Sequence, residues 1–305
     1  MNSQWQGRHE AGTGAMVRFI RWVALDVSMP LARLMLLPIT AYFLAVRGAE
    51  RRASRNYLRR ALRREPRLID IARHIHTFAT CILDRVDFLT GQPGARAIRV
   101  HGVDCVLRHL EQGRGAILFG SHLGSFEAVR HIGFSQPGLE VRILMDYQQN
   151  PQVTRLLDAL NPRAAASVID ASQNSTRVLL QIQETLVRGG LVGMLADRSR
   201  AGETTVNAQL LGSPIALSMG AFRIAAVTAA PVVLIFGLLQ ADGTYDVYFE
   251  PFAERMEIRR NHREADVESW ARQYAARLEA RIQEAPFNWF NFYDYWRDEE
   301  PHASA

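Results

Sequence analysis

The residues with the clearest capacity for chemistry are His122 and Glu127, in the run Gly113-Arg-Gly-Ala-Ile-Leu-Phe-Gly-Ser-His-Leu-Gly-Ser-Phe-Glu127. A hydroxyl is a poor nucleophile at neutral pH, so a neutral imidazole must take its proton as the oxygen attacks an acyl carbon. A carboxylate on the other ring nitrogen would fix the tautomer and stabilise the imidazolium that forms. The local pattern suits this chemistry. A short turn feeds an apolar strand, the strand ends in Gly-Ser-His-Leu-Gly, and Ser125 is placed to cap a helix. His122 then stands at the carboxyl end of a strand, where open α/β sheets hold their sites. Glu127 falls in the first helical turn, within reach of the imidazole. Gly124 and the helix amino terminus offer N–H groups to a developing oxyanion. Taken as a bare spacing the pair is weak, because the chain has nine histidines. A histidine closing a strand beside an exposed helix glutamate would read the same way.

The elements that must position this pair follow from periodicity. Leu68 to Leu89 reads as a long helix with Leu68, Ile71, Ile75, Phe78, Ile82 and Leu89 on one stripe. Gly91-Gln-Pro-Gly94 ends it. Ile98–Val103 and Ala116–Phe119 read as strands, with a helix from about Ser125. Val141–Met145, Ser167–Asp170 and Leu191–Leu195 read as further strands, separated by helices around Val153–Leu160 and Thr176–Val187. Val232–Leu239 and Tyr245–Phe252 form an antiparallel pair that closes the sheet across Ala-Asp-Gly-Thr. The last helix, Arg263–Glu284, places Val267, Trp270, Tyr274, Leu278 and Ile282 on one face. Strand–helix alternation predicts an α/β fold, with a mostly parallel mixed sheet flanked by helices.

Composition bounds the rest. The 305 residues are 48% hydrophobic, enough for a sizeable core. All 36 basic residues are arginine and the formal net charge is +5, which suits an anionic lipid surface. Nucleic acid is not an expected partner, since no recognised binding motif accompanies the arginines. Cys81 and Cys105 lack disulfide or zinc-ligand spacing, so no metal is expected and a reducing compartment fits.

The amino-terminal part reads as a membrane-associated helical segment over residues 1–64, ahead of a catalytic domain at 65–305. Leu34–Val46 is apolar, but thirteen helical residues reach only about 20 Å, against roughly 30 Å of hydrocarbon, and Pro38 interrupts it. Met16, Ile20, Val23, Val27 and Leu34 can share one helical face, with Arg18, Arg21 and Arg33 at its flanks. A basic stretch from Arg47 to Arg64 follows. The pattern favours an amphipathic helix lying in a bilayer interface. A helix packed on the core and a short tilted span are the alternatives.

The segment GRGAILFGSHLGSFE resembles the HX4E block of the bacterial lysophospholipid acyltransferase superfamily, in particular its lipid A late-acyltransferase branch. The likeness continues in order through Asn150-Pro151, Gly189-Gly-Leu-Val-Gly-Met-Leu-Ala-Asp-Arg198, Leu211-Gly-Ser-Pro214, Ala230-Pro-Val-Val233 and the closing Pro286-Phe-Asn-Trp289. The resemblance implies an O-acyltransferase that moves a fatty acyl group from a thioester, on acyl carrier protein or CoA, to a hydroxyl of a membrane lipid or glycolipid. The thioester is a co-substrate and no cofactor is implied. His122 would be the general base and Glu127 its partner. Asp197 would belong to the strand-end block and, with Arg198, to the substrate site. Arg163 would be a substrate-binding arginine, with Arg155 its rival. The implied location is the cytoplasmic face of the bacterial inner membrane. A departure stands at the end, where Asn291-Phe-Tyr-Asp-Tyr-Trp296 replaces a basic segment. There the chain is more similar to acyltransferases of aryl-polyene-type lipid pathways, as it is in its Trp5…Glu10-Ala-Gly pattern and in Arg51-Arg-Ala-Ser-Arg-Asn-Tyr-Leu58. A non-catalytic lipid-binding or assembly protein keeping the same fold is the competing expectation.

Overall fold

The computed structural model describes residues 29–90, 96–134, 136, 138–146, 161, 166–199 and 202–296. Three helices lead: α1 (Met29–Val46), α2 (Gly48–Ala61) and α3 (Leu68–Thr90). β1 (Ile98–His101), α4 (Asp104–Glu111), β2 (Ala116–Gly120), α5 (Phe126–Phe134), β3 (Val141–Met145) and β4 (Val168–Asp170) follow. Next come α6 (Ser175–Val187), β5 (Leu191–Leu195), the strands β6 (Thr205–Leu210) and β7 (Ser213–Ser218), and α7 (Met219–Thr228). β8 (Val232–Leu239), β9 (Tyr245–Ala253) and α8 (Arg263–Glu284) complete the order.

Seven strands form one sheet in the order β1-β9-β8-β2-β5-β3-β4. Every neighbouring pair is parallel except the β8–β9 hairpin. The central strand β2 is buried along its whole length, and the two-residue period of a strand divides its side chains between two cores. Ile117 and Phe119 join Val192, Leu234, Tyr274 and Leu278 on the face covered by α6, α7 and α8. Ala116 and Leu118 join Val106, Val129 and Ile235 on the face covered by α4 and α5. Tyr57, Leu58 and Ala61 of α2 belong to the first of these cores.

The α/β architecture and mostly parallel mixed sheet expected from the sequence are present. Some elements differ. β1 and not the β8–β9 hairpin forms that edge of the sheet, pairing parallel with β9. Gly102, at φ +71°, ends β1 and Val103 begins the turn into α4, which carries Cys105. Residues 205–218, where no strands are assigned from the sequence, form an antiparallel hairpin turning through Leu211 and Gly212 at positive φ. α1 runs unbroken through Pro38. A proline removes one ladder bond, and packing of Ala32 and Leu36 with Leu83 of α3 holds the helix regardless. On α3, Leu68 and Ile82 are exposed while Ile71, Ile75 and Leu89 are buried. The expected apolar face over Met16–Val27, the Gly91–Gly94 loop and the helix near Val153–Leu160 lie outside the described residues.

Candidate active site

Two adjacent parallel strands bring the site together. β2 pairs with β5 in a register that ends with Gly120 opposite Leu195, and Ala196 N–H continues it by donating to Gly120 C=O at 3.0 Å. Two residues beyond that last pair, at the carboxyl ends of both strands, stand His122 and Asp197. His122 Nδ1 lies 2.9 Å from Asp197 Oδ1, and the His122 backbone N–H donates to Asp197 Oδ2 at 3.0 Å. Trp289 Nε1–H donates to the same Oδ2 at 3.2 Å. The Tyr295 hydroxyl donates to the Asp197 carbonyl at 2.6 Å. With Nδ1 as the donor to Asp197, Nε2 carries the lone pair, and it has no hydrogen-bond partner among the described residues. The imidazole is 31% exposed and the Asp197 side chain is fully buried.

The sequence suggested Glu127 as the carboxylate partner of His122; the carboxylate that bonds its ring is instead Asp197. Glu127 is buried in a different cluster, with Arg85 Nε at 3.1 Å and Arg130 Nε at 3.0 Å. The helix geometry explains the difference. Glu127 is the second residue of α5, and Arg130 follows one turn later on the same face. Ser125 Oγ accepts from Ala128 N–H at 3.2 Å, the cap expected for α5.

The chain after α8 locks the site from the other side. Leu123 forms an isolated antiparallel bridge with Trp289. Phe290 N–H donates to His122 C=O at 3.0 Å, and Gly124 N–H donates to Asn288 C=O at 2.8 Å. Gly124 thus does not offer its N–H to an oxyanion, the role expected for it. Its glycine identity answers to space. At φ +77°, a Cβ would sit 2.0 Å from the Gly237 carbonyl oxygen. Farther out, His74 Nε2–H donates to Trp289 C=O at 2.9 Å, and Ser54 Oγ meets His74 Nδ1 at 2.8 Å.

Electrostatics favour a neutral His122 imidazole. Burial and then the nearby Arg198 push the His122 pKa below the usual histidine value, against the pull of Asp197. Burial opposes ionisation of Asp197, but His122 and Arg198 outweigh it and hold the carboxyl down at about 2. Arg198, expected at the substrate site, is beside the pair and fixed by the closing segment. Its Nε donates to Asn291 Oδ1 and its Nη2 to Phe290 C=O, each at 2.9 Å. Its guanidinium lies over the Tyr293 ring. Arg163 and Arg155 lie outside the described residues.

An apolar cavity of about 290 Å³ opens between the sheet and the helices α4 and α5. Leu110, Leu118, Phe126, Val129 and Gly193 are among its walls, with Arg130 and Gln136 the polar residues that line it. Phe126 precedes Glu127 directly, so the helix that follows His122 also roofs the cavity. The cavity and the orienting role of Trp289 escape a reading of the sequence alone. The one signal for the latter is the closing tryptophan motif.

A buried carboxylate fixing the tautomer of a half-open imidazole, at the strand ends of an α/β sheet, fits proton transfer. The profile of the bacterial lipid A biosynthesis acyltransferase family matches residues 63–298. The chain belongs to that family, and its activity is that of an acyltransferase in lipid biosynthesis. No curated protein gives a match.

Proposed function

We propose that the protein moves a fatty acyl group from a thioester, on acyl carrier protein or CoA, to a hydroxyl of a membrane lipid or glycolipid. His122 Nε2 takes the proton of the acceptor hydroxyl while that oxygen attacks the thioester carbonyl carbon. As the tetrahedral intermediate collapses, the C–S bond breaks, an ester forms, and the imidazolium returns its proton to the departing thiolate. Asp197 holds Nδ1–H and stabilises the transient cation. The acyl chain occupies the cavity under α5. The observation that carries this reading is the 2.9 Å contact between His122 Nδ1 and Asp197, which leaves Nε2 open.

The acceptor in this reading is a glycolipid or polyene-type lipid in preference to a phosphorylated lipid A precursor. Two supports are the aromatic segment Asn291–Trp296 and the engagement of Arg198 with neutral groups in it. We place the reaction at the cytoplasmic face of the inner membrane. Purified protein with labelled acyl donors and total lipid extract, followed by mass spectrometry, tests the transfer. His122→Ala should abolish it, and wild-type turnover in that variant would overturn the mechanism. Offering a lipid A precursor and a non-phosphorylated glycolipid at equal concentration tests the acceptor. A tenfold preference for the phosphorylated lipid would overturn that choice alone.

A further inference from the structure

α1 has two faces of different character. Toward the protein, Ala32 and Leu36 are buried with Leu83 of α3. Arg33 reaches the buried carboxylates of Asp84 and Asp87 at 3.5 and 3.6 Å, and Thr40 Oγ1 meets His76 Nδ1 at 3.2 Å. Away from the protein, Leu31, Leu34, Leu37, Tyr42 and Val46 are 43–60% exposed, and Pro38, Ala41 and Ala45 are exposed between them. These positions recur every three or four residues and form one wholly apolar stripe.

By length and composition α1 could cross a bilayer. Its inner face argues otherwise. A crossing helix that kept its contacts would carry Arg33, Asp84 and Asp87 to membrane depth, with Arg96, which lies 2.7 Å from Asp84. Ionised groups are costly there. A crossing helix that abandoned its contacts would strand two buried carboxylates without Arg33. After Arg47 alone comes α2, whose buried stripe is Ala53, Tyr57, Leu58 and Ala61. Arg52, Arg55 and Arg59 are exposed along it, and Arg63 and Arg67 are exposed just beyond. An apolar stripe followed by exposed arginines matches the headgroup boundary of an anionic bilayer.

We propose that α1 is an in-plane membrane helix: it stays docked on α3 and lays its outer stripe on the surface of an anionic bilayer without crossing it. This does not rest on the chemistry of the site. The test uses the full chain bound to phosphatidylglycerol-rich vesicles, with a nitroxide on Leu31→Cys or Tyr42→Cys. Both positions are exposed and share the stripe, and the native Cys81 and Cys105 are buried, so the unsubstituted chain serves as the labelling control. Relaxation by oxygen and by a water-soluble nickel complex reports depth. The two sites are about 16 Å apart along the helix axis. The expected result is equal depth for both labels, roughly 5–10 Å into the headgroup boundary. A depth difference of half the axial separation or more overturns the proposal in favour of a span. Labels that remain in water, or a chain that does not bind the vesicles, overturn it in favour of a protein partner on this face.

Discussion

Trp289 donates its indole N–H to the carboxylate oxygen of Asp197 that also accepts the His122 backbone N–H. A residue of the closing segment thereby fixes the carboxylate that orients the His122 imidazole. Trp289→Phe keeps the buried ring but removes this donor. A hydrogen bond to a charged group contributes about 1.5–3 kcal/mol, so the rate should fall by about tenfold or more. The loss should appear in kcat with KM little changed, because the indole does not face substrate.

Asp197 and Glu127 should separate cleanly when each is made neutral. Asp197→Asn leaves Nδ1 without its anionic acceptor and should cost about 10²–10⁴-fold in kcat. Glu127→Gln should act first on stability, since Arg85 and the buried Arg130 lose their counter-charge. Breaking such a pair costs about 3–5 kcal/mol. Thermal melts should show the larger drop for Glu127→Gln, and Arg130→Met added to it should recover part of the loss. Turnover per folded molecule should show the larger drop for Asp197→Asn.

The pH profile carries a signed expectation. If His122 acts as the proposed base it does so when neutral, and kcat/KM should rise through a pKa below the usual 6.5 of histidine and stay flat above it. Arg198→Gln removes a nearby cation that disfavours the imidazolium, so the acid limb should move to higher pH. Asp197→Asn removes the anion that favours it, so the limb should move to lower pH. Initial rates across pH 4–8 decide both shifts.

His74 predicts a stability effect away from the chemistry. Burial holds its pKa at about 4 in the folded chain, against about 6.5 when unfolded. As pH falls from 6.5 to 4 the unfolded chain takes up a proton that the folded chain refuses, so stability is lost across that window. The contribution is roughly 3 kcal/mol at one pKa unit per 1.36 kcal/mol. In denaturant titrations at pH 7 and pH 4, wild type should lose about that much more than His74→Gln.

The cavity under α5 is tested by filling it. Leu110 is a partly buried wall residue of α4, and Leu110→Trp should shift preference toward shorter acyl donors. Competition between thioesters of different chain length reads this directly. Unchanged selectivity would place the acyl chain elsewhere.

The strand leading to His122 is legible because an apolar run ends in glycine and serine before a capped helix, three local signals that agree. Its partner is not. Two carboxylates compete for the imidazole, and the nearer in sequence is five residues away while the true partner is 75 away. The choice is made by the parallel register that sets Gly120 opposite Leu195, which no single strand encodes. Gly124 misleads for a similar reason, since its backbone is claimed by Asn288, far along the chain. The amphipathic α8 and the β8–β9 hairpin are legible throughout, because their partners lie within their own periodicity.

The bridge between Leu123 and Trp289 also sets an order of events in the making of the protein. His122 and Asp197 leave the ribosome well before Trp289, whose carbonyl is tied to His74, 215 positions earlier. Until that late segment emerges, β2 and β5 can pair but the aspartate lacks its indole and the His122 carbonyl lacks its donor. The complete frame of the site therefore waits for the segment around Trp289. A chain released before Trp289 would hold His122 and Asp197 without the indole and backbone donors that frame them.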